Sequence, residues 1–374
     1  MKIESLSISG VHGRESTINI RFHDDINIIT GSNGAGKTTI LKSVWYLISG
    51  NIERLIQEVE FNHLELKTSN LTVVIATSQS KTNKIIYNLT IDFLDSEQEI
   101  PRYAKQFPQD RIELVNEANM IMVDYCDQSV FFPTFRRIEG GYNISGRRKG
   151  LIHRQSKWNT VDTVEDVLGY ISDSISVKNH KFVSSVSTID IKKIISDLYS
   201  SANEDSDHLS KDMINKLLSL TEMHERNRSH DEVGAFLDSD QTLALINNSL
   251  NLFKDQRDNA FLSINHLSDL VTKVFNHSGL SFGDSLTLGD AESAIDSDLL
   301  SSGEKQMLSF LCYNMTNKNC PMFIDEPELS LHVDWQRILI KLLQGQNSGN
   351  QYFIATHSPF IYALFSDKEI MVAN

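Results

Sequence analysis

The sequence predicts an α/β fold: a mixed β-sheet with flanking helices, interrupted by an inserted, mainly helical subdomain. Three observations predict it. Residues 26–48 read as a buried strand, a glycine-rich loop and a helix. Two short apolar strands near the C-terminus each end in polar chemistry, Asp325-Glu326 after one and His357-Ser358 after the other. Between these parts no proline occurs from Pro133 to Pro321, and apolar residues recur there at helical spacing. The expected divisions are 1–140 for the first part of the sheet domain, 141–285 for a basic loop and the helical insertion, and 286–374 for the second part of the sheet domain.

The elements follow in order. Ile3, Leu6 and Ile8, then Ile18, Ile20 and Phe22, alternate with polar residues and give two strands ahead of the strand at 26–30. Gly31-Ser32-Asn33-Gly34-Ala35-Gly36-Lys37-Thr38 is a full G-x-x-x-x-G-K-[ST] match. Strand, loop and helix in this order aim backbone N–H groups and a helix N-terminus at phosphates. Asn33, Gly34, Ala35, Gly36, Lys37, Thr38 and Thr39 are the expected cradle for ATP. Lys37 is expected to face solvent and the β- and γ-phosphates, and the Thr38 hydroxyl to ligate Mg²⁺. Residues 61–94 alternate again, with polar turns between runs, and predict an antiparallel meander. Ile121–Cys126 is a more continuous apolar run, expected as a strand that rejoins the main sheet.

From Arg136 to Lys157 the chain carries seven basic residues against one acid, Glu139, with four glycines. This stretch reads as a solvated loop, or as a contact for phosphates or an acidic partner. Leu243, Ile246, Leu250 and Phe253 fit one helix face, and Ile264, Leu267, Val271 and Val274 another, without sustained heptads. Residues 203–207 read as an acidic loop between helices. Leu300-Ser301-Ser302-Gly303-Glu304 then opens a helix, and a serine with glycine at a helix start makes a second anion site. Pro321-Met322-Phe323-Ile324-Asp325-Glu326-Pro327-Glu328 is a strand ending in acids: Asp325 for the metal, Glu326 to polarise the attacking water. His357, at the end of one more buried strand, is placed to sense the γ-phosphate.

In this order the P-loop, L-S-S-G-E, I-D-E-P-E-L-S-L-H and A-T-H-S-P resemble the ATP-binding-cassette (ABC) ATPase head, in the soluble branch of SMC-type, OLD-family and related bacterial defence ATPases. The resemblance covers 1–50 and 298–374 and extends to Pro133-Thr134-Phe135-Arg136-Arg137. It implies that Ser301 and Gly303 form a signature motif acting on ATP bound by another subunit, so that two heads sandwich two ATP molecules in a homodimer or a higher oligomer. It also implies a glutamine at the metal after the 121–126 run, and Gln128 is the candidate.

The net charge of −14 argues against wholesale coating of nucleic acid, and leaves 136–157 as the place for a local contact. No apolar run of about 18 residues occurs, so no membrane partner is expected. Met1-Lys2-Ile3-Glu4-Ser5 lacks a signal-peptide pattern, and Cys126, Cys312 and Cys320 lack metal spacing. Buried thiols in a cytoplasmic protein are expected. The resemblance implies an ATPase that switches a separate effector, such as a nuclease or toxin, in antiphage defence. The short stretch after His357 is expected to leave no room for the TOPRIM nuclease domain of OLD-family proteins. An SMC-like DNA-repair or chromosome-organising ATPase is the alternative. A transporter ATPase is disfavoured by the large helical insertion.

Overall fold

The computed structural model describes residues 1–13, 16–79, 84–94, 102–134, 164–184 and 301–372, with helical positions within 194–215 and 247–255. The basic stretch 136–157 lies outside the described residues. The chain forms two compact units, Met1–Ser187 with Ser301–Asn374, and Thr188–Leu300. The second unit therefore starts later and ends later than the insertion expected at 141–285. In that unit residues 206–215 and 250–255 are helical. Asn203, Glu204, Ser206 and Asp207 are helical too, which corrects the expected acidic loop.

With their flanking helices the strands of the first unit make the expected α/β fold, and among the described residues they sort by direction into two six-stranded sheets, not a single mixed one. The antiparallel sheet contains β1 (Ile3–Ser9), β2 (Thr17–Arg21), β4 (His63–Thr68), β5 (Leu71–Gln79), β6 (Ile85–Phe93) and β7 (Tyr103–Pro108), in the order β2-β1-β4-β5-β6-β7. The parallel sheet contains β3 (Ile26–Thr30), β8 (Ser129–Phe132), β9 (His180–Phe182), β10 (Pro321–Asp325), β11 (Gln351–Ala355) and β12 (Glu369–Met371), in the order β12-β3-β11-β10-β8-β9. A short turn joins β4 to β5, as antiparallel pairing permits. Parallel neighbours need longer crossovers, and here helices supply them.

Burial follows the same division. In β4 the pattern alternates, with Leu64 and Leu66 inside and Glu65 and Lys67 outside. In β3, β8, β10 and β11 every residue is buried, as expected for a parallel sheet covered on both faces. Helix α1 (Lys37–Ile48) is apolar on nearly all sides, and every residue from Ser43 to Ile48 is buried. It packs against β8, β10, β11, α2 (Ile52–Glu58) and α3 (Asn116–Tyr125). Its Trp45 lies 5.4 Å from the rings of both Phe131 and Phe182. One apolar core joins side chains of α1 to those of both sheets.

The 121–126 run belongs to α3 and is not a strand. A continuous apolar run serves a helix or a buried strand equally well. Here Val115, Ala118 and Met122 are buried at helical spacing and decide it. The strand that joins the sheet is the next apolar run, β8. After helix α4 (Val164–Ile175), the short strand β9 extends the sheet beside β8, in register from Ser129↔His180 to Phe131↔Phe182. This pairing assigns 180–182 to the first unit. Further along, α5 (Ser302–Thr316) precedes β10, and α6 (Val333–Gly345) and α7 (Pro359–Tyr362) flank β11. The three cysteines are buried, and burial pushes each thiol up to about 12, as expected for inert core residues.

Trp45 is fully buried, and its indole N–H has no hydrogen-bond partner among the described residues. Trp45→Ala should cost about 3–5 kcal/mol of stability through the cavity it leaves. Trp45→Phe should cost far less, because it keeps an aromatic ring and removes the unsatisfied donor. Urea denaturation followed by far-UV circular dichroism checks the difference.

Candidate functional site

The candidate site lies where the C-terminal ends of four neighbouring parallel strands meet, the usual place for ligands in open α/β sheets. The end of β3 carries the glycine loop, β8 leads to Thr134, β10 ends at Asp325, and β11 leads to His357. Gly36 caps α1 from the left-handed region at φ 97° without a side-chain cap. That conformation turns the chain from loop to helix and favours glycine. Ser32, Asn33 and Gly34 are exposed at the loop crest, and Ala35 is buried with its N–H donating to the Ser32 carbonyl at 3.1 Å. Thr39 is half-buried in the first turn of α1.

Lys37 does not face solvent as expected; it is 5% exposed. Its ammonium donates to the carbonyls of Gly31 and Ser32, at 3.3 and 3.4 Å, and contacts Nε2 of His357. Burial pushes the Lys37 ammonium down from its ordinary range, while the carboxylates of Glu326, Asp325 and Glu328 push back. The side chain lies beneath the loop crest because α1 is buried from its first residue.

Asp325 is 2% exposed. The Thr38 hydroxyl lies 3.0 Å from each of its oxygens, and the Thr134 hydroxyl donates to Oδ2 at 2.5 Å. Burial raises the carboxyl above its usual range against the lowering effect of these hydrogen bonds, and the neighbouring Glu326 charge adds to the rise. Glu326 follows in the left-handed region at φ 48°, with its N–H donating to the Ala355 carbonyl at 2.8 Å. This turn directs the chain away from the sheet and leaves Glu326 Oε1 3.8 Å from His357 Nε2. Lys37, Thr38, Asp325, Glu326 and His357 thus converge from three parts of the sequence.

Ser301 caps α5 in a full capping box. Its hydroxyl accepts from the Glu304 N–H at 3.3 Å, and the Glu304 carboxylate accepts from the Ser301 N–H at 2.6 Å. Because the hydroxyl only accepts here, its proton remains able to donate. Gly303 packs on the carbonyl of Ser330: a Cβ there would lie 2.5 Å from that oxygen. Gln128 is not brought to the site. It precedes β8, at the N-terminal end of the parallel strands, and its amide donates to the Lys318 carbonyl at 2.6 Å. The expected metal role for Gln128 is corrected accordingly. Thr134, two residues past the end of the strand that follows Gln128, reaches Asp325 instead.

A family profile described as "AAA ATPase domain" matches residues 1–362. The chain belongs to the AAA ATPase domain family. A segment is 38% identical over 61 residues to the Septu protein PtuA of Bacillus thuringiensis, covering 16% of this chain and 15% of that protein. The chain therefore spans only a small part of that relative's length. Among solved structures it is similar to an Smc head domain from Pyrococcus furiosus with an extended coiled coil, bound to the C-terminal domain of ScpA (13% identity, 97% of this chain and 91% of that chain, TM-score 0.36). It is also similar to an SMC head domain from Thermotoga maritima (14% identity, 97% and 92% covered, TM-score 0.35).

This AAA ATPase fits Mg²⁺ by its donor chemistry. Thr38 and Asp325 present one hydroxyl and one buried carboxylate side by side, an all-oxygen pair of the kind Mg²⁺ uses when phosphates and water complete its shell. A cation there would offset the burial of the Asp325 charge. Among the described residues no three His, Cys, Asp or Glu side chains converge on a separate metal position. Thr134 went unseen in the sequence because a lone threonine after a strand has no motif of its own. The adjacent Pro133 and the resemblance of 133–137 were the only signals.

The raised Asp325 pKa means that folding disfavours its charge, so wild-type stability falls as pH rises through that pKa. Asp325→Asn removes this cost. Without nucleotide the variant should melt above wild type at neutral pH, and Mg²⁺-ATP should no longer raise its Tm. Thermal melts with and without Mg²⁺-ATP check both halves.

Proposed function

We propose that the protein hydrolyses ATP and uses the nucleotide state to switch a separate effector, in bacterial antiphage defence. The observation that carries the ATPase reading is the convergence of Lys37, Thr38, Asp325, Glu326 and His357 at one edge of the parallel sheet. The loop N–H groups and Lys37 bind the phosphate tail, and the lysine exchanges its contacts with the Gly31 and Ser32 carbonyls for phosphate oxygens. Thr38 and Asp325 would hold Mg²⁺, which would neutralise phosphate charge. Glu326 orients the attacking water and takes its proton. His357, already against Lys37 and 3.8 Å from Glu326, contacts the γ-phosphate side.

The remaining parts of the proposal have other supports. Ser301, with its exposed capping position and available proton, serves the ATP of a second subunit, so that two heads close on two nucleotides. The defence role rests on the motif resemblance to defence ATPases and on the short stretch shared with the Septu protein PtuA. The effector is a separate polypeptide, such as a nuclease or toxin, whose association follows head closure. A coupling of about 1–3 kcal/mol between closed and open heads suffices for such a switch. No helix among the described residues is long and apolar enough to cross a membrane.

Lys37→Ala should abolish turnover. Glu326→Gln should bind ATP with near wild-type affinity, hydrolyse it at least about 100-fold more slowly, and accumulate an ATP-dependent dimer. Phosphate release and light scattering with ATP check this. Wild-type turnover in Glu326→Gln would place the base elsewhere. A monomer at all ATP concentrations would remove the composite site.

A further inference from the structure

The turn after β10 carries a third acid, Glu328, which the proposed chemistry does not use. Glu328 Oε1 accepts a hydrogen bond from the backbone N–H of His357 at 2.6 Å. Its Oε2 is buried without a hydrogen-bond partner among the described residues. Glu328 is half-buried, and its charge acts on Lys37 together with those of Glu326 and Asp325. Its one strong hydrogen bond is therefore the notable contact it makes there.

A second chain of bonds closes the same loop from the other side. The Gln336 amide, on α6, donates to the Glu328 carbonyl at 3.3 Å and to the Leu331 carbonyl at 2.8 Å. Its oxygen accepts from the Ser358 hydroxyl at 2.6 Å, and the Ser358 N–H donates to the Thr356 hydroxyl at 2.9 Å. His357 thus sits between two tethers: Glu328 holds its backbone N–H, and Gln336 holds its neighbour Ser358. Both tethers start from the segment that follows Glu326.

We propose that Glu328 is a positioning residue, which through its bond to the His357 N–H holds the His357 imidazole in register with Glu326 and Lys37. This inference rests on the ATPase reading above. The physical basis is direct. The β10–β11 pairing runs to Asp325↔Ala355 and ends on the Glu326 N–H to Ala355 carbonyl bond. Beyond that point His357 has no ladder partner, and the Glu328 carboxylate replaces one. Displacing a phosphate-contacting side chain by about 1 Å is enough to cost about 100-fold in rate.

The test is steady-state ATP hydrolysis by the full chain in five forms: wild type, Glu328→Ala, Glu328→Asp, Glu328→Gln and the Glu328→Ala/His357→Ala pair, with His357→Ala as reference. Glu328→Ala should lower kcat about 10- to 100-fold with KM for ATP within about twofold. Glu328→Asp keeps the charge but shortens the reach, and should behave like the alanine form. Glu328→Gln keeps an oxygen acceptor and should recover to within about threefold of wild type. The double variant should be no slower than His357→Ala alone, because the tether acts only through the histidine. Wild-type kcat in Glu328→Ala or Glu328→Asp, a glutamine form as slow as alanine, or multiplicative losses in the double variant would each overturn the proposal. Hydrogen exchange at the His357 amide gives a readout independent of turnover: slow in wild type and Glu328→Gln, fast in Glu328→Ala. An inert wild type would sink the ATPase reading and leave the tether to be judged by exchange, where equal exchange in wild type and Glu328→Ala would overturn it.

Discussion

The candidate site depends on a buried carboxylate. Asp325 lies at the end of a strand with both flanks occupied, and two hydroxyls from distant parts of the chain reach it, Thr38 and Thr134. Such a charge is tolerated only where donors meet it, and even here burial raises its pKa. The two threonines come from either side of β10 in the sheet order: Thr38 from the helix after β3, Thr134 from just after β8. The carboxylate therefore ties the P-loop helix to both flanks of the sheet. A cation at the same point would relieve the burial cost, so what destabilises the fold locally is also what prepares it for a metal–phosphate ligand.

The two sheets divide the mechanical work. The parallel sheet is buried on both faces and holds the site residues on strand ends, where rigid backbone limits their movement. The antiparallel sheet alternates buried and exposed residues and completes the core over which α1 lies. Helix α1 belongs to both parts: its first residue, Lys37, is chemical, and its last six are core. Packing around Trp45, Phe131 and Phe182 thus sets the position of the phosphate loop as well as the stability of the unit. The segment after β10 has the complementary task. It leaves the sheet at Glu326 through a left-handed residue, returns through Glu328 to the His357 backbone, and is bound again through Gln336 to Ser358.

Much of this was legible in the residues. Strand, glycine loop and helix at 26–48 follow from periodicity and from the loop pattern, because phosphate binding demands those residue types at those spacings. The alternation at 61–94 announced an antiparallel meander. The 121–126 run was misread because a buried helix and a buried strand share an uninterrupted apolar pattern, and the neighbouring run at 129–132 competed for the same place. Gln128 was misplaced with it. A glutamine just after a strand would have faced the site; one just before a strand faces the opposite end of the sheet. Lys37 was expected to be exposed because isolated sequence reasoning treats a charge as solvated, whereas three carboxylates and two carbonyls surround it here.

By itself the sequence picked out most of the residues proposed to carry the chemistry, since a phosphate loop, a strand ending in acids and a strand ending in histidine are local patterns with local physical causes. It also determined that the strand at 26–30 is buried, because its residues are almost all apolar. Only the tertiary structure decided which strands share a sheet and in what order, and therefore that Thr134 and not Gln128 reaches Asp325. Only it decided that Glu328, one acid among forty-nine acidic residues, bonds the His357 backbone. Those contacts join residues far apart in the chain, and their existence depends on the parallel crossovers that bring the strand ends together, for which no local pattern codes.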